Sequence, residues 1–374
     1  MNLTTTAFGT WSGGRFMHFG EQLEEERIEK LVQQSWELGV RTFATSDVYG
    51  VGRADELLGR ALKGIDRSSY CIAAMLGHDI YDGVRQGSKG YPRFTDPELR
   101  GEDGYEAYLK KAAEKSLERC QTDYFDLVML HNPDSTGYTS PAVWDAMDAL
   151  KSSKLTEMIG IAPGPANGFV LDLIDCFEKF GDRIDWAMLI LNPLEPWPQC
   201  HVLPTAERQG IDVITRVVDY GGMFHDVMRP GHQFKDGDHR AYRPAGWVDA
   251  ASEKIEKFRA IGERHGLTLL QLACQWNLAQ PAVKSVVPTL IQEAHEGAKS
   301  VEEELVELSK VTGEVVLSAA EIAEIQQIGD NTGCMALKGA SERYAELEAP
   351  LPDQWPVRPE LLEVASRFQI NPAW

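Results

Sequence analysis

The sequence predicts an α/β chain folded as a single (β/α)8 barrel of the TIM type, with long loops after some strands and an extended C-terminal tail. Three observations lead there. Short β-branched or apolar runs alternate with longer amphipathic ones along most of the 374 residues, giving roughly eight strand-plus-helix units. No Gly-x-Gly-x-x-Gly follows a strand, which argues against an open doubly wound sheet. A hydrophobic content of 43% supplies a large core, and barrels reach this length as one domain. The expectation is one unit over residues 1–374, with the barrel over about 3–310 and a C-terminal extension over about 318–374.

Each element follows from its residue pattern. Ala7 to Trp11 is the opening strand. From Glu24 to Leu38, the residues Ile28, Leu31, Val32, Ser35 and Trp36 recur on one face, with Glu24, Glu25, Glu29 and Lys30 elsewhere, which makes a surface helix. Val40 to Thr45 reads as a buried strand, Asp55 to Leu62 as a helix, Tyr70 to Leu76 as the third strand and Tyr105 to Cys120 as a helix. Further strands are predicted at Phe125 to Leu130, Met158 to Ala162, Trp186 to Leu191, Val213 to Val218 and Ser285 to Val287. Helices are predicted at Val143 to Leu150, Phe169 to Phe180, Thr205 to Gln209, Ala251 to His265 and Thr268 to Leu278. Long polar connections run from Gly77 to Gly104 and from Asp219 to Gly246, and a tail from Gly329 to Trp374. In a barrel of this kind the loops after the strands line the active face.

Composition narrows the classes of partner. A formal charge of −20 disfavours nucleic acid, whose binding rests on Lys and Arg clusters that neutralise phosphates. The start, Met1 to Thr6, has neither a basic n-region nor an apolar run, and no apolar stretch reaches the about 18 residues a membrane span needs. These features predict a soluble cytoplasmic protein with no membrane partner. The six cysteines, at 71, 120, 176, 200, 274 and 334, form no Cys-x-x-Cys pair, as expected of thiols in a reducing compartment.

Two stretches carry a resemblance. Gly39-Val40-Arg41-Thr42-Phe43-Ala44-Thr45-Ser46-Asp47-Val48-Tyr49-Gly50 and Tyr124-Phe125-Asp126-Leu127-Val128-Met129-Leu130-His131 are similar to signatures of the aldo-keto reductases. Phe8-Gly9-Thr10-Trp11, Asp55-Glu56-Leu57-Leu58-Gly59-Arg60-Ala61-Leu62 and Leu270-Gln271-Leu272-Ala273-Cys274-Gln275-Trp276 extend the resemblance in order along the barrel. It implies a tyrosine general acid and a carbonyl-orienting histidine, which align with Tyr49 and His131. It also implies a Lys-Asp pair that tunes the phenol, but Met75 and Ala44 stand at those positions. The loss is coordinated, because a lysine without its carboxylate is a costly buried charge, whereas Ala plus Met is simply apolar. The family's grip on a nicotinamide is eroded as well. Ala162 and Pro163 replace the carboxamide-binding pair on the fifth strand, Met188 falls near the sixth-strand glutamine, and Arg216 takes the place of the stacking aromatic. Past Pro288, Thr289 to Glu296 shows no Arg match for the adenosine phosphate.

These readings define the expected site. Tyr49 and His131 are the catalytic candidates; Trp11, His78, Asn192, Arg216 and Asp219 are the substrate-binding candidates, with Arg216 either a replacement cation or a wall salt bridge. Asp79, Asn132, Asp134, Glu195, Tyr220 and His225 also follow strands, a ring suited to a polyol or, from its imidazoles and carboxylates, to a divalent cation. Trp197, between two prolines, is either a sugar-stacking platform or a loop plug. The predicted function is Tyr/His acid–base chemistry on a small polyhydroxy or sugar-like carbonyl compound without hydride transfer, of isomerase, lyase or hydratase type. The alternatives are an NAD(P)H-dependent carbonyl oxidoreductase with a drifted tetrad, and a non-catalytic barrel subunit. No residue is assigned to a cofactor or metal.

Overall fold

Eight strands follow one another in parallel around the computed structural model, which describes residues 2–87, 90–164, 169–243, 245–332 and 359–371. They are β1 (Ala7–Gly9), β2 (Thr42–Ser46), β3 (Cys71–Leu76), β4 (Phe125–His131), β5 (Thr156–Ala162), β6 (Trp186–Ile190), β7 (Asp212–Arg216) and β8 (Val283–Val287). A parallel bridge between Thr6 and Val286 brings β8 back beside β1, and Ser285 Oγ donates to the Thr4 carbonyl at 2.8 Å across the same seam. The result is a nearly closed (β/α)8 TIM barrel.

The helices are α1 (Glu25–Glu37), α2 (Arg53–Ala61), α3 (Tyr105–Cys120), α4 (Ser135–Thr139), α5 (Pro141–Ser152) and α6 (Val170–Phe180). After them come α7 (Leu203–Gln209), α8 (Trp247–Arg264), α9 (Leu269–Leu278), α10 (Val301–Ser309), α11 (Ala319–Gly329) and α12 (Pro359–Arg367). Ile28, Leu31, Val32 and Ser35 of α1 are buried, the face that its spacing predicts.

Strand alternation builds two cores. Ala44, Ala73, Met75, Leu127, Met129, Met188 and Ile214 pack inside the barrel, whereas Phe43, Ile72, Ala74, Val128, Leu130, Leu189 and Val213 join the larger core that includes the helices. Glycine sets one seam. A Cβ on Gly160 would lie 2.2 Å from the Trp186 carbonyl oxygen, so the approach of β5 to β6 requires the missing side chain.

Several boundaries differ from those the sequence predicts. β1 ends at Gly9, leaving Trp11 in the turn beyond. β7 stops at Arg216 because Val217 turns to a positive φ of 57°, which no strand tolerates. α8 begins at Trp247 rather than Ala251. The helices α10 and α11 are additional, each opened by a reciprocal Ser–Glu cap, at Ser300/Glu303 and Ser318/Glu321. In the tail, α12 is tied to α6 by Arg367 and Glu178 at 2.7 Å; most of the predicted extension, including Cys334, lies outside the described residues. No described helix is long and apolar enough to cross a membrane.

Candidate active site at the C-terminal mouth of the barrel

The parity that fills the interior with apolar groups also selects the side chains on its rim. On β4, Leu127 and Met129 face inward, and the next residue of that parity is His131 at the strand end. On β7 the same step leads from Ile214 to Arg216, and on β2 from Ala44 to Ser46. Tyr49 follows β2 by three residues and packs against the interior cluster. A row of edge-on rings results: Trp11 to Tyr49 at 6.2 Å, Tyr49 to His131 at 5.8 Å and His78 to His131 at 5.1 Å between centroids.

Hydrogen bonding sets the His131 tautomer. Ser46 Oγ lies 2.8 Å from the Met75 carbonyl, which only accepts, so the hydroxyl proton belongs there. The same oxygen, 2.9 Å from His131 Nδ1, therefore accepts Nδ1–H and leaves the Nε2 lone pair open. Burial, reinforced by His78, Arg93 and Arg216, holds the imidazole pKa well below its usual range, so the ring is neutral. Tyr49 is shifted the other way. Burial pushes its phenol up to about 12, against a downward pull from Arg216, and it remains a proton donor.

Around this pair the charges are unusual. Ala44 and Met75 are buried in the interior cluster, so neither lysine nor carboxylate occupies those two positions. The cation that acts on both Tyr49 and His131 is Arg216, whose Nη2 donates to the Pro163 carbonyl at 3.0 Å and which forms no salt bridge among the described residues. Arg93, in the loop after β3, donates from Nε to the Asn132 carbonyl and from Nη1 to His78 Nδ1 at 3.0 Å and the Tyr91 carbonyl at 3.2 Å. Burial and Arg93 press His78 down to about 3, which keeps it neutral.

The structure thus gathers Trp11, Tyr49, His78, His131 and Arg216 at one mouth. Trp11 is anchored there by an Nε1 hydrogen bond to Thr289 Oγ1 at 3.1 Å. Asn192 and Asp219 are buried and engaged in holding loops. The Asn192 amide donates to Glu195 and the Val217 carbonyl and accepts from Leu194 N–H, while Asp219 accepts from the backbones of Gly222 and Thr289. Similar tasks occupy other candidates: Asp79 accepts from three loop N–H groups and Arg100, Asp134 caps α4, and His225 contacts the Thr289 carbonyl at 2.8 Å. Trp197 is a buried loop plug preceding a cis proline. Among the described residues no three His, Cys, Asp or Glu side chains converge as a metal site.

Two contributors carry no role in the sequence analysis. Ser46 was detectable from parity, being two residues beyond inward-facing Ala44. Arg93 had no local signal, because only the antiparallel bridge between His78 and Arg93 brings it to the rim.

A nicotinamide finds little to hold it at the corresponding positions. Ala162 and Met188 are apolar interior side chains, and the Pro163 carbonyl is already engaged by Arg216. Past β8, Thr289 N–H is bound to Asp219, and Glu293 is closed in a buried ion pair with Arg240, which also pairs with Asp238. These residues do not fit the polar grip that the resemblance implies.

A tyrosine just past the second strand and a histidine ending the fourth thus share the mouth of a parallel (β/α)8 barrel. The chain belongs to the aldo/keto reductase family, whose model matches residues 6–330. A probable voltage-gated potassium channel subunit beta of Arabidopsis thaliana is 23% identical over 314 residues, covering 79% of this chain and 85% of that protein. A glycerol dehydrogenase of Gluconobacter oxydans superposes with a TM-score of 0.68 at 20% identity, over 88% of this chain and 92% of that one. An aldo/keto reductase of Klebsiella pneumoniae in complex with NADP and acetate gives a TM-score of 0.58 at 18% identity, over 87% and 90% of the two chains. At these identities the structural likeness concerns the fold alone.

Proposed function

We propose that the protein is a redox-neutral member of its family, moving protons on a small polyhydroxy or sugar-like carbonyl compound. The observation that carries this reading is Arg216, a guanidinium without a salt bridge among the described residues, electrostatically coupled to both Tyr49 and His131. Tyr49 O–H and Arg216 hold the carbonyl oxygen. His131 Nε2 takes the proton from the adjacent carbon, and the electron pair moves onto the oxygen as an enolate. A neutral imidazole of depressed pKa is a weak base, so the cation at the oxygen carries much of the thermodynamic burden. Delivery of that proton to the former carbonyl carbon, while the proton of the adjacent hydroxyl passes to the first oxygen, gives isomerisation; departure of a β-hydroxyl that takes the proton from His131 and leaves as water gives elimination.

Family membership also supports an NAD(P)H-dependent carbonyl reductase, in which Tyr49 donates the proton to the reduced oxygen. The two readings separate in D2O. Ketoses and hydroxyaldehydes incubated with the protein and no nicotinamide are expected to exchange carbon-bound hydrogen, followed by NMR. Tyr49→Phe and Arg216→Met are each expected to slow exchange by about 10²-fold or more. Absence of exchange together with NADPH-dependent reduction of the same compounds would sink the redox-neutral reading.

A further inference from the structure

Arginines set inside this fold generally meet a carboxylate. Arg67 pairs with Asp126, Arg100 with Asp79, Arg119 with Asp55, and Arg240 with both Asp238 and Glu293. Arg93 and Arg216 do not. Neither forms a salt bridge among the described residues, in a chain with 57 acidic side chains against 37 Lys and Arg. Asp134 acts on Arg93 through space without forming an ion pair, and a guanidinium withdrawn from water with no contacting carboxylate is costly, so the two cations at this mouth are only partly balanced.

The two have different settings. Arg216 touches the Pro163 carbonyl and acts on Tyr49. Arg93 is fixed along one edge by neutral acceptors, through Nε and Nη1, and its Nη2 has no acceptor among the described residues. Between them runs a short relay. His78, which accepts from Arg93, faces His131 at 5.1 Å. A Cβ on Gly164 would lie 2.6 Å from Asn132 Oδ1 and 2.8 Å from Arg216 Nη2, so the Asn132 side chain and Arg216 are neighbours. Both arginines bear electrostatically on His131. One cation answers the charge that develops on a reacting oxygen. The second calls for a charge that the substrate brings with it, and a planar guanidinium with an open N–H suits a carboxylate or phosphate.

We infer that the substrate is an acidic polyhydroxy carbonyl compound, a sugar acid or a sugar phosphate, whose anionic group is held by Arg93 while Arg216 faces the reacting oxygen. This rests on the acid–base reading of the site and names its substrate class.

The test measures binding, independently of turnover. The full chain is titrated calorimetrically with D-gluconate and D-glucose 6-phosphate, and with the neutral sorbitol and D-glucose, which probe charge at similar size. The expected result is that at least one acid binds about tenfold or more tightly than its neutral counterpart. Preference for gluconate assigns a carboxylate, and preference for the phosphate ester assigns a phosphate. Arg93→Met is expected to erase the acid-to-neutral ratio, and Arg93→Lys to keep part of it, since the charge survives but the fork does not. The ratio within each variant is unaffected by a loss of folded protein. Equal binding of acids and neutral sugars, no binding of any of them, or an acid preference unchanged in Arg93→Met overturns the inference. Exchange of carbon-bound hydrogen in neutral sugars alone would sink the acidic substrate while keeping the chemistry. Acid-selective binding without exchange would do the reverse.

Discussion

Tyr49 and His131 keep the protonation states that burial imposes, and this separates them from a pair tuned to neutrality. The phenol, raised to about 12, stays protonated, and the imidazole, depressed well below its ordinary value, stays neutral. For His131 the unfolded chain takes up the proton first on acidification, so the stability this ring contributes is present above about pH 6.5 and lost as the pH falls from there. For Tyr49 the sign is opposite: its contribution is full below about pH 10 and lost as the pH rises through the folded value. The rate of hydrogen exchange is therefore expected to be flat between about pH 6.5 and 10, because neither group titrates in that window. Nitrogen NMR of the His131 ring provides the structural counterpart. A single tautomer with Nδ1–H and an unprotonated Nε2 should persist through the neutral range, and Ser46→Ala should release it. A ring that gains a second proton near neutrality, or that carries its proton on Nε2, contradicts the assignment.

At the scale of the strand, the interior tolerates apolar pairs more readily than lone charges. Ala44 on β2 and Met75 on β3 are both inward-facing and essentially inaccessible to water. Ala44→Asp alone is expected to destabilise the fold by about 3–5 kcal/mol, because a carboxylate there has no partner. Adding Met75→Lys should recover part of that loss, with a coupling of about 1 kcal/mol or more in a denaturation double-mutant cycle. Purely additive losses would mean that the two positions do not exchange as a unit. Strand parity also explains what the sequence made legible. The resemblance placed Ala44, Met75, His131 and Arg216 at strand ends, the period of two explains why those positions face inward, and the order of strands followed from the alternation of apolar runs. Loops obey no such period. Asn192 and Asp219 follow their strands as the site candidates do, yet their polar atoms close on neighbouring backbone, a result of loop geometry that a linear pattern does not contain. Arg93 illustrates the converse, since it lies in a long polar stretch and reaches the rim only because the loop folds back on His78.

Over the whole molecule, the net charge of −20 opposes the local chemistry of the mouth. An acidic substrate approaches a protein whose long-range field repels it, and only within the last few ångströms do Arg93 and Arg216 reverse the sign. Salt separates the two contributions by range. Raising ionic strength from about 0.01 M to about 0.1 M shortens the screening length from about 30 Å to about 10 Å, which suppresses the distant carboxylates far more than a buried guanidinium in contact with the ligand. Association of an acidic ligand such as gluconate should therefore accelerate over this range, while dissociation changes little. Stopped-flow measurement of the two rate constants, using tryptophan emission from the Trp11 side of the mouth, tests the point. A basic protein steering the same ligand shows the opposite slope, with association slowing as salt is added. A decline in the association rate here would mean that the mouth projects positive potential well beyond its rim, and that the acidic surface is turned away from the path of entry.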